Sequence, residues 1–286
     1  MPPSRHMDVQ DVINAHPVSG FQKLVIALCF LVVAIDGFDT AAVGFIAPAL
    51  RAEWGVTPVQ LAPLFGAGLF GLMAGAFIFG PLADRWGRKP VLIATTAFFG
   101  AATLASAFST SIEMLVVLRF VTGIGLGGAM PAAITLTSEF CPERKRSSLV
   151  TLMFCGFTIG SAAAGLAASH IVSAFGWQGL LVLGGVLPLA LVPVLIALLP
   201  ESPRYLALRN ALPERIAAVL RRIAPGTQLS GLSVIGSGKP KGLPIGQLFR
   251  DGLGTGTLLI WTTFFMSLLV FYLLSSWLPV ARSGPS

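Results

Sequence analysis

Residues 80–90 read GPLADRWGRKP. An apolar run stands on each side of this string, Leu61–Leu82 before it and Val91–Phe108 after it. Only eight residues separate the two runs, so the chain must reverse direction at once, and Gly87 supplies a backbone free to do so. Asp84, Arg85, Arg88 and Lys89 are placed to pair with one another or with the ends of the flanking helices. Taken alone, a charged turn between apolar segments is an ordinary topology anchor. The whole pattern G-x-x-x-D-R-x-G-R-K in this position is far more specific.

Five more apolar runs lie outward from this turn: Leu24–Leu50, Ile112–Thr137, Leu149–Ile171, Leu180–Leu199 and Thr257–Pro279. A helix needs about 20 apolar residues to cross a bilayer, and the seven runs are read as seven spans. Composition agrees. Of 286 residues, 55% are hydrophobic and 11% are charged, with a mean hydropathy of +0.83. A soluble domain carries about 25% charged residues, so this chain has too few to cover a water-facing surface. Many of the 32 glycines and several of the 20 prolines fall within apolar stretches, which argues against disorder and collagen. The net charge of +7 does not indicate nucleic acid, because the basic residues sit in short clusters between apolar runs. Cys29, Cys141 and Cys155 lack metal-ligand spacing and read as apolar fillers, and His6, His16 and His170 are scattered. No metal, cofactor or enzymatic nucleophile–base set is expected.

The distribution of lysine and arginine orients the spans. With the N-terminus inside, sixteen of the 19 basic residues fall in inner segments and only Arg51 and Arg282 outside; Arg119 lies within a span. A cytoplasmic N-terminus is therefore expected, in a multi-pass protein of the inner (plasma) membrane. Residues 1–23 form a polar cytoplasmic segment, 24–200 a six-span block, 201–254 a cytoplasmic central loop, and 255–286 a seventh span with a short tail. Within the loop, Ser202–Ile223 suits short helices with basic faces, and Pro225–Gly246 reads as a linker. A seven-span receptor is disfavoured, since its N-terminus usually lies outside.

Three charges remain inside the spans. Asp36 and Asp39 lie in AIDGFDTAAVGF, three residues apart and about 60° apart around one helix face. Arg119 lies in VLRFVTGIGLGG. A charge at mid-bilayer costs at least about 2.5–3.5 kcal/mol, so these groups are candidates for function; a static ion pair that only fixes packing is the alternative. At 1.5 Å per residue, Asp39 and Arg119 differ by about 8 Å in depth, which their side chains bridge if the helices touch. Gly37, Gly44 and Pro48 interrupt the first span; Gly123, Gly125, Gly127, Gly128 and Pro131 interrupt the fourth. If spans one to three and four to six are inverted repeats, these interruptions correspond and point to a binding site. Gly123–Gly128 also fits G-x-G-x-x-G, but inside an apolar helix this is no dinucleotide fingerprint. Gly156-x-x-x-Gly160 reads as a packing face.

The turn at Gly80–Pro90 resembles the signature loop of the major facilitator superfamily. Arg119 with its glycine row, and PESPRYL at Pro200–Leu206, resemble the same superfamily. DGFDT at Asp36–Thr40, GWQGLLVLGGVLPL at Gly176–Leu189 and the SSWLP ending of span seven resemble its aromatic acid:proton symporters, which carry 4-hydroxybenzoate and protocatechuate. The resemblance runs from about residue 20 to 279 and implies an all-α membrane protein: the six-helix N-terminal half of that fold, built as 3+3 inverted repeats, then a cytoplasmic linker and a seventh helix. It implies Asp36, Asp39, Arg119 and Glu139 as proton-coupling or substrate residues. Gly80, Asp84, Arg85, Gly87, Arg88 and Lys89 would form the gating loop. The partners implied are an aromatic carboxylate, a proton and the lipid bilayer. Glu139 also starts a charged run and has a plain reading as a solvated side chain. Two six-span halves make the whole fold, so the expectation here is a truncated carrier lacking most of its second half, which a complete pathway requires. A non-transporting fragment, or a carrier of another organic acid or sugar, is the alternative.

Overall fold

The computed structural model describes residues 6–209, 213–224, 233–235 and 254–282. Its elements in chain order are β1 (His6–Asp8), α1 (Val9–Ala15), α2 (Gly20–Trp54), α3 (Pro58–Trp86), α4 (Arg88–Ser106), α5 (Ile112–Phe140), α6 (Glu143–Leu198), α7 (Pro203–Leu208), α8 (Pro213–Ile223), β2 (Ser233–Ile235) and α9 (Gly254–Arg282). Helices α2 to α6 are each long and apolar enough to cross a membrane. The seventh expected span lies within α9, which packs along α2.

The longest helix is two limbs that meet at Gly176. At Gly176 the backbone takes φ 70° and ψ 179°, conformations that a side chain disfavours. The partners of α6 along α2 show the reversal. Gly156 lies against Phe30, Gly160 against Ala34 and Gly165 against Phe45, climbing away from the N-terminus. Trp177 then donates to Glu53 at the far end of α2, 2.8 Å away. Gly184 descends to Asp39, and Leu195 and Leu199 rejoin the core around Val25 and Leu28 near the start of α2. The two limbs of α6 hold the fifth and sixth expected spans.

Capping sets the ends of the other helices. Ser19 and Gln22 form a capping box that starts α2, and Gly55 in the left-handed region ends it. Thr57 and Gln60 repeat the box at α3. Close helix approach depends on missing side chains. A Cβ at Gly37 would strike the Phe157 carbonyl, and one at Gly71 that of Phe120. Gly127 meets Leu72 in the same way. Thus α2 packs on the first limb of α6, α3 on α5, and α4 on both α5 and the second limb, where Gly185 meets Leu104. The glycine row in α5 is a packing surface between α3 and α4.

The structure differs from the sequence expectation at the N-terminus and at the turn between α3 and α4. The N-terminal segment is not simply polar. Val9, Val12 and Ile13 of α1 are buried in the core cluster that holds Ile216, Leu220 and Ile223 of α8. This helix also caps others in trans: Asn14 accepts from the Glu143 amide at 2.9 Å, where Pro142 provides no cap of its own. The expected eight-residue reversal is in fact a single residue. Helix α3 runs through Trp86, α4 starts at Arg88, and Gly87 at φ 111° makes the turn alone. The helices expected within Ser202–Ile223 are α7 and α8. Most of Pro225–Gly246 lies outside the described residues; within it, β2 pairs in parallel with β1, a short strand pairing that an all-helical reading omits.

Candidate functional site

Among the described residues, buried charged side chains gather in two clusters inside the bundle. The first is at mid-depth. Helix α2 carries Asp36 and Asp39, α5 carries Arg119, and α4 carries Thr103. Asp39 and Arg119 are 1% and 3% exposed. Arg119 Nη1 donates to Asp39 Oδ2 at 3.1 Å, and Thr103 Oγ1 donates to Asp39 Oδ1 at 2.7 Å. The depth estimate from sequence thus resolves into a direct ion pair. Arg119 Nε and Nη2 are buried and have no hydrogen-bond partner among the described residues. Beside the pair lies a small cavity of about 60 Å³, lined by Asp39, Thr40, Phe65, Leu69, Arg119 and Leu126 among others. Asp36 is buried one turn away and does not line this cavity. Its Oδ1 accepts from Thr40 Oγ1 at 3.3 Å, and its Oδ2 has no partner among the described residues.

The second group is at the end of the bundle that holds α1. Gly87 turns the chain so that Arg88 points inward, where it is 6% exposed. Its Nη2 reaches Asp84 Oδ1 at 3.1 Å and Glu139 Oε1 at 3.2 Å. Glu139 is 6% exposed, so its solvated reading does not hold. The structure places it with the turn and not with Asp36, Asp39 and Arg119. Gly80 ends no helix; it lies inside α3 with open space around it. Lys89 Nζ donates to the Ile196 carbonyl at 3.0 Å. The Arg85 side chain has no part in the cluster's pairs, but its carbonyl accepts from Tyr205 and Arg209.

Thr103, Glu201, Tyr205 and Arg209 are the residues that sequence reasoning left without a role. Glu201, Tyr205 and Arg209 lie in or just after the quoted PESPRYL string, which was the available signal. Thr103 had none, because a threonine in an apolar helix is commonplace. Glu201 Oε1 accepts from the Arg88 amide at 3.0 Å and the Lys89 amide at 3.3 Å, so the carboxylate caps α4, whose own Gly87 has no side chain to offer. A Cβ at Gly87 would strike this carboxylate. Tyr205 lies beneath Arg88, 5.3 Å from ring centre to guanidinium carbon.

Burial raises the Glu201 carboxyl above its ordinary 4.5, against the lowering effect of the Ser202, Lys89 and Arg88 amides and the Arg88 charge. The folded state therefore holds this proton to higher pH than the unfolded chain. Glu201 makes the fold more stable as pH falls through its raised folded value, and the gain is complete below 4.5. Glu201→Gln is expected to remove this component, so wild type loses stability relative to the variant as pH rises through that window. Denaturant midpoints of the two proteins across acidic pH measure it; parallel curves would refute it.

The profile described as Major Facilitator Superfamily matches residues 29–284. The chain belongs to the major facilitator superfamily. These are multi-pass membrane transporters, not enzymes. The chain is 48% identical to the 4-hydroxybenzoate transporter PcaK of Pseudomonas aeruginosa, over 98% of its own length and 63% of that protein. It is 44% identical to the gallate transporter of Pseudomonas putida, over 97% of its own length and 62% of that protein. The chain thus spans just over three fifths of these relatives. The xylose transporter XylE from E. coli, solved in an inward-open conformation, shares the fold with a TM-score of 0.61 and 21% identity, covering 73% of this chain and 54% of that one.

Proposed function

We propose that this superfamily member takes part in secondary active uptake of an aromatic acid anion such as 4-hydroxybenzoate, coupled to a proton. The observation that carries this reading is Arg119: a guanidinium held in an apolar cavity with only one nitrogen engaged by Asp39. Its Nε and Nη2 form the planar edge that binds a carboxylate through two hydrogen bonds. The apolar walls around it, Phe65 and Leu69 among them, suit a ring. The names of the 48% and 44% identical relatives support the substrate class.

Asp39, alternately paired with Arg119 and released when substrate takes the arginine, is the proposed proton carrier, and Asp36 the second carboxylate. The Asp84–Arg88–Glu139 cluster with Glu201 is the proposed cytoplasmic latch. A cytoplasmic N-terminus is part of the proposal, supported by the distribution of basic residues. The 3+3 inverted repeat is supported by the helix pairs. Exchanging α2 with α5, α3 with the first limb of α6, and α4 with its second limb carries the major pairings onto one another: α2 on the first limb onto α5 on α3, and α4 on α5 onto the second limb on α2. In such a fold the pathway lies between two six-span halves, and transport is proposed for an assembly that supplies both.

Right-side-out membrane vesicles containing the chain test this, alone and co-expressed with the C-terminal half of the Pseudomonas aeruginosa relative. Labelled 4-hydroxybenzoate is expected to enter under an acid-outside gradient, and a protonophore to stop it. Absence of gradient-driven uptake in both arms would leave the non-transporting reading in place.

A further inference from the structure

We propose that Thr103 is a positioning residue: its hydroxyl limits the Asp39 carboxylate to a single hydrogen bond with Arg119 Nη1, leaving Nη2, Nε and more of the guanidinium charge for an anionic ligand. The proposal rests on the reading of Arg119 as a carboxylate receptor.

Helix α4 carries three other buried hydroxyls, and they behave differently. Thr95 donates to the Val91 carbonyl at 2.8 Å, Thr96 to Leu92 at 2.7 Å and Ser106 to Ala102 at 2.8 Å. Each bonds to its own helix four residues back, the usual outcome for a hydroxyl with no polar neighbour. Thr103 instead reaches across to another helix, donating to Asp39 Oδ1 at 2.7 Å. The fold makes room for this contact. Gly184 lies against both partners, and a Cβ there would sit 3.4 Å from Thr103 Cγ2 and 3.8 Å from Asp39 Oδ1.

The carboxylate is therefore tied at both oxygens, one to Thr103 and one to Arg119 Nη1. Arginine and carboxylate prefer two parallel hydrogen bonds when nothing prevents it. Here they make one. Without the hydroxyl, Oδ1 is free to turn toward the guanidinium and close the fork. That fork would take Nη1 and one Nη2 hydrogen; the Nε–Nη2 edge would remain, but Asp39 would neutralise the guanidinium more fully, and an incoming carboxylate would be held less tightly.

The test uses the purified 286-residue chain in lipid nanodiscs, with two readouts. Infrared carboxylate bands of Asp39, assigned by their loss in Asp39→Asn, report how the carboxylate is held. Calorimetry with 4-hydroxybenzoate reports the open edge. Thr103→Val is expected to narrow the separation of the antisymmetric and symmetric stretches, as a two-bonded carboxylate does, and to weaken binding about tenfold, the loss of roughly one ordinary hydrogen bond's worth of affinity. Thr103→Ser restores both values, and Thr96→Val changes neither. Should valine not fit beside Gly184, the smaller Thr103→Ala gives the same two shifts. The proposal is overturned if the Thr103→Val or Thr103→Ala bands coincide with wild type. It is also overturned if wild type binds and these variants bind equally well. If wild type binds no aromatic acid while the bands move as stated, the positioning role stands and the substrate reading falls.

Discussion

Asp39→Asn is expected to abolish accumulation of substrate against its gradient in the transporting assembly, while leaving the bundle folded. Asparagine keeps an acceptor oxygen for Arg119 and can donate its amide N–H to Thr103 Oγ1 in place of the second carboxylate oxygen, so the packing at 2.7 and 3.1 Å survives in outline. What it cannot do is take and release a proton. A gradient of one pH unit is worth about 1.4 kcal/mol per proton, or about tenfold in concentration at equilibrium. Wild type is expected to approach that ratio with one proton per substrate, and Asp39→Asn to reach only equal concentrations on both sides. Steady-state uptake in vesicles at fixed pH difference measures the ratio. A variant that still concentrates the acid would remove Asp39 from the coupling step.

The second large effect concerns stability. Arg119→Leu leaves the Asp39 carboxylate in an apolar interior without its cation, and breaking a buried pair from one side costs about 3–5 kcal/mol. Asp39→Leu strands the guanidinium in the same way. The double variant removes both charges and is expected to regain most of the loss, because a buried ion pair adds little net stability over apolar side chains of similar volume. Reversible unfolding of the four proteins in mixed micelles gives the coupling energy. If the double variant is as unstable as the sum of the two singles, the pair is not the electrostatic unit described here. Function is expected to fail in all three variants, so stability and transport separate in the double.

Both results turn on a contact that the sequence only made plausible. Three ionisable residues in apolar spans were legible as anomalies, because leaving them in lipid is costly. Their depths were legible from helix rise. That Asp39 would meet Arg119 singly, that Asp36 would turn to Thr40, and that Glu139 would join Arg88 were not. Each depends on how helices rotate about their axes, and a mean hydrophobic pattern carries little rotational information when nearly every face is apolar. The same limit hid Thr103, which resembles Thr95 and Thr96 until its neighbours are known. The reversal at Gly176 is a different case. Apolar runs on both sides were read as separate spans, although the helix continues closer to the turn than composition indicated.

The amino-acid sequence alone determined the lipid solvent, the presence of several long apolar helices and the resemblance to one superfamily. These follow from hydropathy summed over long windows and from short motifs that tolerate little variation, and neither requires knowledge of contacts between distant segments. Tertiary structure alone decided which polar groups share a partner. It assigned Arg119 to Asp39 with an edge left over, gave Asp39 its second tie through Thr103, and moved Glu139 to the turn with Arg88. Hydrogen bonds act over about 3 Å, while hydrophobic burial acts on whole helix faces. Chain composition therefore specifies the bundle, and only the final rotation and depth of each helix specify its chemistry.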